Sequence, residues 1–200
     1  EHFIQEQTTD FSLTLNPIIN LEIGKEFGND KTIYTNTRGI IAEGKLGTRF
    51  SFYSSFLENQ SVFPIYITNS IIKEEWIVPG QGKSKWSNDF TFDYAMASGH
   101  LTYQLSKFST LQFGHGKNFI GDGYRSLILS DVAFNYPYLR VQTSVGIFQY
   151  TNLYMQHMDV GSNPNSYYSY DRKYASLHHL STNISDRLNV GIFESIVWKS

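Results

Sequence analysis

The stretch LGTRFSFYSSF, residues Leu46–Phe56, alternates apolar and polar side chains from end to end. Successive residues of a β-strand point to opposite faces of the sheet, so this alternation predicts a strand with one apolar and one polar side. The apolar side would carry Leu46, Thr48, Phe50, Phe52, Ser54 and Phe56, and the polar side Gly47, Arg49, Ser51, Tyr53 and Ser55. The stretch therefore favours a β fold.

The same alternation recurs along most of the chain. In YPYLRVQTSVG, Tyr136–Gly146, apolar Leu139 and Val141 stand opposite Arg140 and Gln142. Such a strand again has one apolar and one polar side. Helical periodicity is nearly absent, so an all-β fold is expected.

Two hairpins are predicted near the ends of the chain. Asn16–Pro17 interrupts an alternating run between Phe11 and Ile23, and residues 185–187 join the runs 175–185 and 188–198. With the runs between them, we count about ten strands, most of them in neighbouring hairpins. We expect a single domain over residues 1–200.

Two long connections are predicted between strands. The first is an insertion at 59–90, with two helical turns over Thr68–Trp76 before the turn signal VPGQG at Val78–Gly82. The second is a Gly-rich loop at 114–131. Long connections often carry function, so both are candidate sites.

Composition excludes several classes of protein. The 16 Lys and Arg residues nearly balance the 18 Asp and Glu residues, so the chain offers no strongly basic surface for nucleic acid. No apolar run approaches the roughly 18 residues that a membrane-spanning helix needs. The absence of cysteine excludes a disulfide scaffold and thiolate metal ligands. The chain opens at Glu1 without a start Met, so we expect a processed protein or a piece of a longer one.

The aromatic content favours a membrane location. Aromatic residues make up 16% of the chain and charged residues 17%, which is below the roughly 25% charged residues of ordinary soluble domains. Many predicted strands carry an aromatic residue near an end, as in the girdles of outer-membrane barrels. The predicted fold class is an antiparallel transmembrane β-barrel. A soluble sandwich or a lipocalin-like barrel has the same alternation and stays the alternative.

The Gly-rich stretch FGHGKNFIGDGYRSLILSD, Phe113–Asp131, fits neither nucleotide-binding template. A Walker A loop places its lysine after the last glycine, whereas Lys117 precedes Gly121. The glycine spacing also departs from the dinucleotide fingerprint, and no helical pattern follows. In a β context these glycines predict a tight loop with its bend at 121–123.

The loop also supplies donors, acceptors and rings suited to a sugar. We predict ligand contacts from His115, Lys117, Asn118, Asp122, Tyr124, Arg125 and Asp131. An ion pair between Arg125 and Asp131 is expected across the bend. A hydrogen-bonded loop without a ligand is the alternative.

Catalysis by this loop is weakly supported. Asp122 and Asp131 are candidates for an acid and a base in glycoside hydrolysis, but nothing in the sequence fixes their separation. Ser126 and Ser130 lie near His115 in the sequence, yet no G-x-S-x-G elbow surrounds them. We predict no catalytic residue.

Metal binding is not expected either. His178 and His179 are adjacent, so in a strand they point to opposite faces and cannot share one ion. The prediction is therefore no metal site and no cofactor.

The Gly-rich element resembles the Wzi-like capsule-assembly outer-membrane proteins, especially a Bacteroidetes branch that includes gliding-motility-associated proteins. The matching residues are Gly114, His115, Lys117, Asn118, Gly121, Asp122, Gly123, Arg125, Ser126, Leu127, Leu129 and Ser130. The insertion FPIYITNSIIKEEWIVPGQGKSK, residues 63–85, is similar to that branch as well.

The resemblance implies a barrel of about eighteen strands in the outer membrane of a Gram-negative bacterium, of which this chain would be a part. It implies a noncatalytic role in attaching or assembling surface polysaccharide, with membrane lipid and polysaccharide as partners. A transport, secretion or gliding-motility and adhesion component, with other outer-membrane or secretion proteins as partners, is the alternative. An outer-membrane hydrolase is a further one.

Overall fold

The computed structural model describes residues 2–28, 30–86, 90–159 and 171–199. Over these residues the chain forms thirteen β-strands and one α-helix, α1, at Ile65–Lys73. The strands are β1 (Ile4–Gln7), β2 (Phe11–Lys25), β3 (Thr32–Leu46), β4 (Phe50–Val62), β5 (Ile77–Val78), β6 (Gly82–Lys83), β7 (Lys85–Trp86), β8 (Phe92–Gln104), β9 (Ser109–Gly116), β10 (Tyr136–Val145), β11 (Phe148–Asp159), β12 (Asp171–Ser185) and β13 (Leu188–Lys199). In these segments no helix has the length and apolar character to cross a membrane.

Ten of the strands form one antiparallel sheet in the order β1-β2-β3-β4-β8-β9-β10-β11-β12-β13. β7 adds two residues beside the start of β8, and β5 pairs with β6 in a small separate ribbon. Strands that follow one another in the main sheet are direct neighbours, so the sheet is a meander interrupted once, between β4 and β8. The all-β, antiparallel prediction is confirmed.

The predicted turn at Asn16–Pro17 is wrong, because β2 runs without interruption from Phe11 to Lys25 along β3. A proline is tolerated at this position of β2 because of the local strand pairing. β1 pairs with β2 only as far as Leu15, so Pro17 lies where one edge of β2 is open. A proline on an open edge removes no ladder hydrogen bond.

The strand predicted over Leu46–Phe56 is divided by a turn. Leu46 ends β3 and pairs with Phe50 at the start of β4, so the chain reverses through residues 47–49. Gly47 permits the reversal, since its φ of 59° is a left-handed conformation that glycine adopts freely. The two strands on either side keep the predicted alternation.

The long connections differ from the predicted bounds by a few residues. β4 continues to Val62, so the insertion comprises residues 63–91 rather than 59–90. β9 continues to Gly116, so the Gly-rich loop comprises residues 117–135 and excludes His115.

The helix predicted over Thr68–Trp76 begins three residues earlier, at Ile65. Pro64 precedes its first residue, where a fixed φ and a missing N–H cost nothing. The Glu26 carboxylate accepts the Ile65 N–H at 3.1 and 3.3 Å and so satisfies a donor that the helix cannot use.

The sheet has two chemically different faces. Residues directly paired between antiparallel strands share a face, so the register traces rows across the sheet. One row on the first face, here called the apolar face, holds Phe52, Leu101, Phe113, Leu139 and Tyr154. The neighbouring row on the second face, here called the polar face, holds Tyr53, His100, Gly114, Tyr138 and Met155.

The apolar face is exposed. Ile19 is 81% exposed, Ile23 72% and Phe113 59%. Edge strand β13 is exposed on both faces, since Ile192 and Phe193 are adjacent and are 65% and 55% exposed. Large apolar side chains therefore remain exposed along this face of the described sheet.

Both buried clusters lie on the polar face. One forms where the Gly-rich loop packs on β10–β12 and contains Tyr136, Tyr138, Leu153, Met155, Ala175 and Leu177. The other forms where the insertion packs on the start of β8 and contains Ile71, Val78 and Phe92. The two long connections therefore cover the same side of the sheet.

Candidate functional site on the polar face

The Gly-rich loop is held by one serine. The Ser126 hydroxyl donates to the Ile120 carbonyl and accepts the N–H groups of Ile128 at 3.0 Å and Leu129 at 3.4 Å. A bridge with an N–O distance of 2.9 Å also joins Ile120 to Leu129. Ser126 therefore stabilises the backbone conformation of the loop.

The bend requires glycine at its first position. Gly121 has a φ of 132°, and a Cβ built there would collide with the Ser126 side chain. Ile120, Ile128 and Leu129 then turn inward and pack on the cluster around Tyr136. Local turn chemistry and core packing therefore fix the loop on the polar face.

Lys117 joins the two long connections. Its ammonium group donates to the Gly80 carbonyl at 2.8 Å, and Gly80 belongs to the VPGQG turn of the insertion. The sequence placed Lys117 in the candidate site, but its partner in the structure is backbone. Lys117 therefore tethers the Gly-rich loop to the insertion.

Asn118 is buried beneath the loop, with 4% of its surface exposed. Its N–H donates to the Tyr136 hydroxyl at 3.1 Å, and its side-chain oxygen accepts from Arg140 at 3.5 Å. The Nδ2 atom is buried and has no hydrogen-bond partner in the structure. Buried donors normally find a partner, so this one requires an explanation.

Side-chain hydrogen bonds also link the neighbouring strands β8, β9 and β10. The Tyr138 hydroxyl donates to Gln112 at 3.2 Å, and the Gln112 amide donates to Thr102 at 3.1 Å. One strand step further, the rings of Tyr53 and His100 stack with centroids 5.4 Å apart. These side chains form a contiguous polar and aromatic strip on β4, β8, β9 and β10.

Beside the stacked pair lies a groove of about 470 Å³ on the polar face. Its polar lining consists of Ser12, Thr14, Glu43, Lys45, Ser51, Tyr53 and His100. Hydroxyls, charged groups and ring faces in one groove suit a carbohydrate ligand. The alternation predicts that Tyr53 and Arg140 lie on the polar side of their strands, but nothing in the sequence marks them as site residues.

The remaining predicted site residues do not join this strip. Asp122, Tyr124 and Arg125 are exposed near the loop tip, where Arg125 lies 5.7 Å from the Tyr124 ring centre. The expected ion pair between Arg125 and Asp131 is wrong: the described residues contain no such salt bridge, and Asp131 accepts instead from Ser130 at 3.5 Å. The contacts described for these exposed residues are therefore with neighbours in the loop itself rather than with the strands.

His115 is also outside the strip. It follows Phe113 by two residues in β9 and so lies on the apolar face, where Nδ1 is 3.2 Å from the Ala97 carbonyl. It borders a second cavity, of about 350 Å³, between the VPGQG turn, residues 132–135 and the ends of β8–β11. This rim cavity also contains His157, whose ring lies 4.6 Å from that of Tyr136.

No metal cluster forms among the described histidines and carboxylates. His178 pairs across the sheet with Asn152 and Glu194, whereas His179 pairs with Thr151 and Phe193. The prediction that the two adjacent histidines point to opposite faces is confirmed.

Comparison with protein-family models, with curated proteins and with solved structures finds no match to this chain.

Proposed function

We propose that this chain is part of an outer-membrane β-barrel of a Gram-negative bacterium that retains surface polysaccharide and catalyses no reaction. The observation that carries the proposal is the contrast between an exposed apolar face and a polar face covered by both long connections. A soluble sandwich covers its apolar face with a second sheet. A membrane barrel turns that face to lipid and keeps polar groups inside.

The strip on the polar face supports a sugar ligand. The Tyr53–His100 stack offers ring faces, and the groove beside it offers hydroxyls and one charge of each sign. Sugars present both apolar C–H faces and hydroxyl groups, so they match this combination. The side chains lie on strands, which hold them more rigidly than loops do.

The noncatalytic part of the proposal rests on how the candidate nucleophile is used. The Ser126 oxygen is engaged with three backbone groups of its own loop. His115 lies on the apolar face, and Ser126 is bonded to backbone rather than to a histidine. Nucleophilic catalysis requires a base within hydrogen-bond reach of the hydroxyl.

The resemblance of the Gly-rich element to Wzi-like capsule-assembly proteins agrees with this proposal. In that setting the partners are outer-membrane lipid and surface polysaccharide. The loop of residues 117–135 would act as a scaffold that presses Asn118 onto β10.

The test is fractionation of a Gram-negative host that expresses the full-length protein, followed by glycan capture on the detergent-extracted protein. We expect the protein in the carbonate-resistant outer-membrane fraction and retention of the host's own surface polysaccharide. A Tyr53→Ala variant should retain less polysaccharide, whereas Tyr124→Ala, at the exposed loop tip, should retain as much as the parent. Recovery in the soluble fraction would refute the membrane proposal, and recovery of protein partners without glycan would favour a secretion or motility component.

A further inference from the structure

Arg140 is a half-buried cation in the middle of β10, where its polar-face row places it between Gln112 of β9 and Leu153 of β11. Its bond to the Asn118 oxygen is 3.5 Å long, which is the limit for a hydrogen bond. The described residues give it no salt bridge. A guanidinium has five N–H donors, so most of its donor capacity is unused.

The surroundings of Arg140 contain no carboxylate in the described strands beside it. Its polar-face neighbours on β9, β10 and β11 include Gln112, Tyr138, Gln142, Thr151, Leu153 and Met155, and none of them is acidic. Asp171 is the first residue of β12 and is bound to Lys199 at 2.7 Å. A partly desolvated cation without a counterion is costly, which points to an anion supplied from outside.

Asn118 provides an independent sign of the same ligand. Its Nδ2 donor is buried without a partner, and it belongs to the same amide whose oxygen contacts the Arg140 guanidinium. The Asn118 amide and the Arg140 guanidinium are thus neighbours with unused N–H donors. The contacts described for them leave those donors without an acceptor. A ligand rich in acceptor oxygens complements both.

We infer that Arg140 and Asn118 bind the carboxylate of an acidic sugar, so that the polysaccharide held by the polar face contains uronic acid units. The planar guanidinium fork matches a carboxylate with two parallel hydrogen bonds. One guanidinium balances the single charge of a carboxylate, whereas a phosphate monoester carries nearly two charges at neutral pH. The inference rests on the proposed function and names the chemical class of its glycan.

The test is calorimetric titration of the detergent-solubilised full-length protein with tetragalacturonate and with neutral galactotetraose. We expect the acidic probe to bind about tenfold tighter or more, as hydrogen bonds to charged groups imply. Arg140→Gln should remove that preference, whereas Arg38→Gln, on the apolar face, should keep it.

A second variant separates binding from folding. Asn118→Asp places a carboxylate beside Arg140, so it should abolish the preference for the acidic probe without lowering the unfolding temperature. Equal binding of both probes by the parent and by Arg140→Gln would overturn the inference and leave the proposed function intact. Displacement of tetragalacturonate by equimolar inorganic phosphate would overturn the carboxylate assignment. Binding of neither probe would overturn the inference, whereas the proposed function is decided separately by retention of the host's own polysaccharide.

Discussion

The Lys117 ammonium lies 2.8 Å from the Gly80 carbonyl, across 37 residues of sequence. This bond joins the Gly-rich loop to the insertion above the polar face. Lys117→Met removes the donor while keeping an unbranched stem, so we expect a loss of about 1 kcal/mol of stability. Hydrogen exchange should accelerate in residues 117–135 and around the VPGQG turn together, because the tether restrains both. Lys107→Met, at an exposed lysine, is the matched control, and unchanged protection in the two segments would show that the tether has no restraining role.

Gly121 is predicted to be the least replaceable glycine of the loop. Gly121→Ala adds a Cβ against Ser126 at a φ of 132°, so it should destabilise the protein by about 1–3 kcal/mol. Gly123→Ala meets only the Arg125 carbonyl, at 3.4 Å, and should change stability by less than about 0.5 kcal/mol. Chemical denaturation of both variants measures the difference, and equal losses would contradict the collision with Ser126.

Leu139 and Gln142 provide a test of which face meets lipid. They lie three residues apart in β10 and on opposite faces. On the membrane proposal, Leu139→Arg should cost about 2–4 kcal/mol near the bilayer midplane, whereas Gln142→Arg should be tolerated. Folding into lipid vesicles from urea gives both free energies. A larger loss for Gln142→Arg would reverse the proposed orientation.

Tyr138 should stabilise the polar strip through its hydroxyl. Tyr138→Phe removes the donor to Gln112 and leaves a buried amide oxygen unpaired, so we expect a loss of about 1–3 kcal/mol. Tyr124→Phe, at a side chain that is 92% exposed, should have no effect. Thermal unfolding of the two variants is the measurement, and a neutral Tyr138→Phe would mean that Gln112 finds another donor.

Alternation predicted the faces of the strands because the period of two is a local property. The residues around them were enough to place Leu139 on the apolar face of β10 and Arg140 on the polar face. The turns were harder to predict. Pro17 and Gly47 are both turn residues by composition, but only the register with β3 and β4 shows that the chain continues through the first and reverses at the second.

The site depends on contacts that no local pattern encodes. The partner of Lys117 lies in another connection, and the isolation of Arg140 follows from what the neighbouring strands place beside it. The sequence predicts Lys117 and Asn118 as ligand contacts, and the structure places both at the start of the Gly-rich loop. The loop positions these residues, whereas the strip that meets the groove lies on the strands.

Strand β13 has a consequence for handling this protein. Among the described residues no strand pairs with its outer edge, and that row of N–H and C=O groups is a template on which another extended chain can add by backbone pairing. In a preparation of residues 1–200 alone, copies of this segment will therefore tend to pair edge to edge unless detergent or a further strand occupies that edge. Shielding β13 is the first requirement for keeping preparations monodisperse.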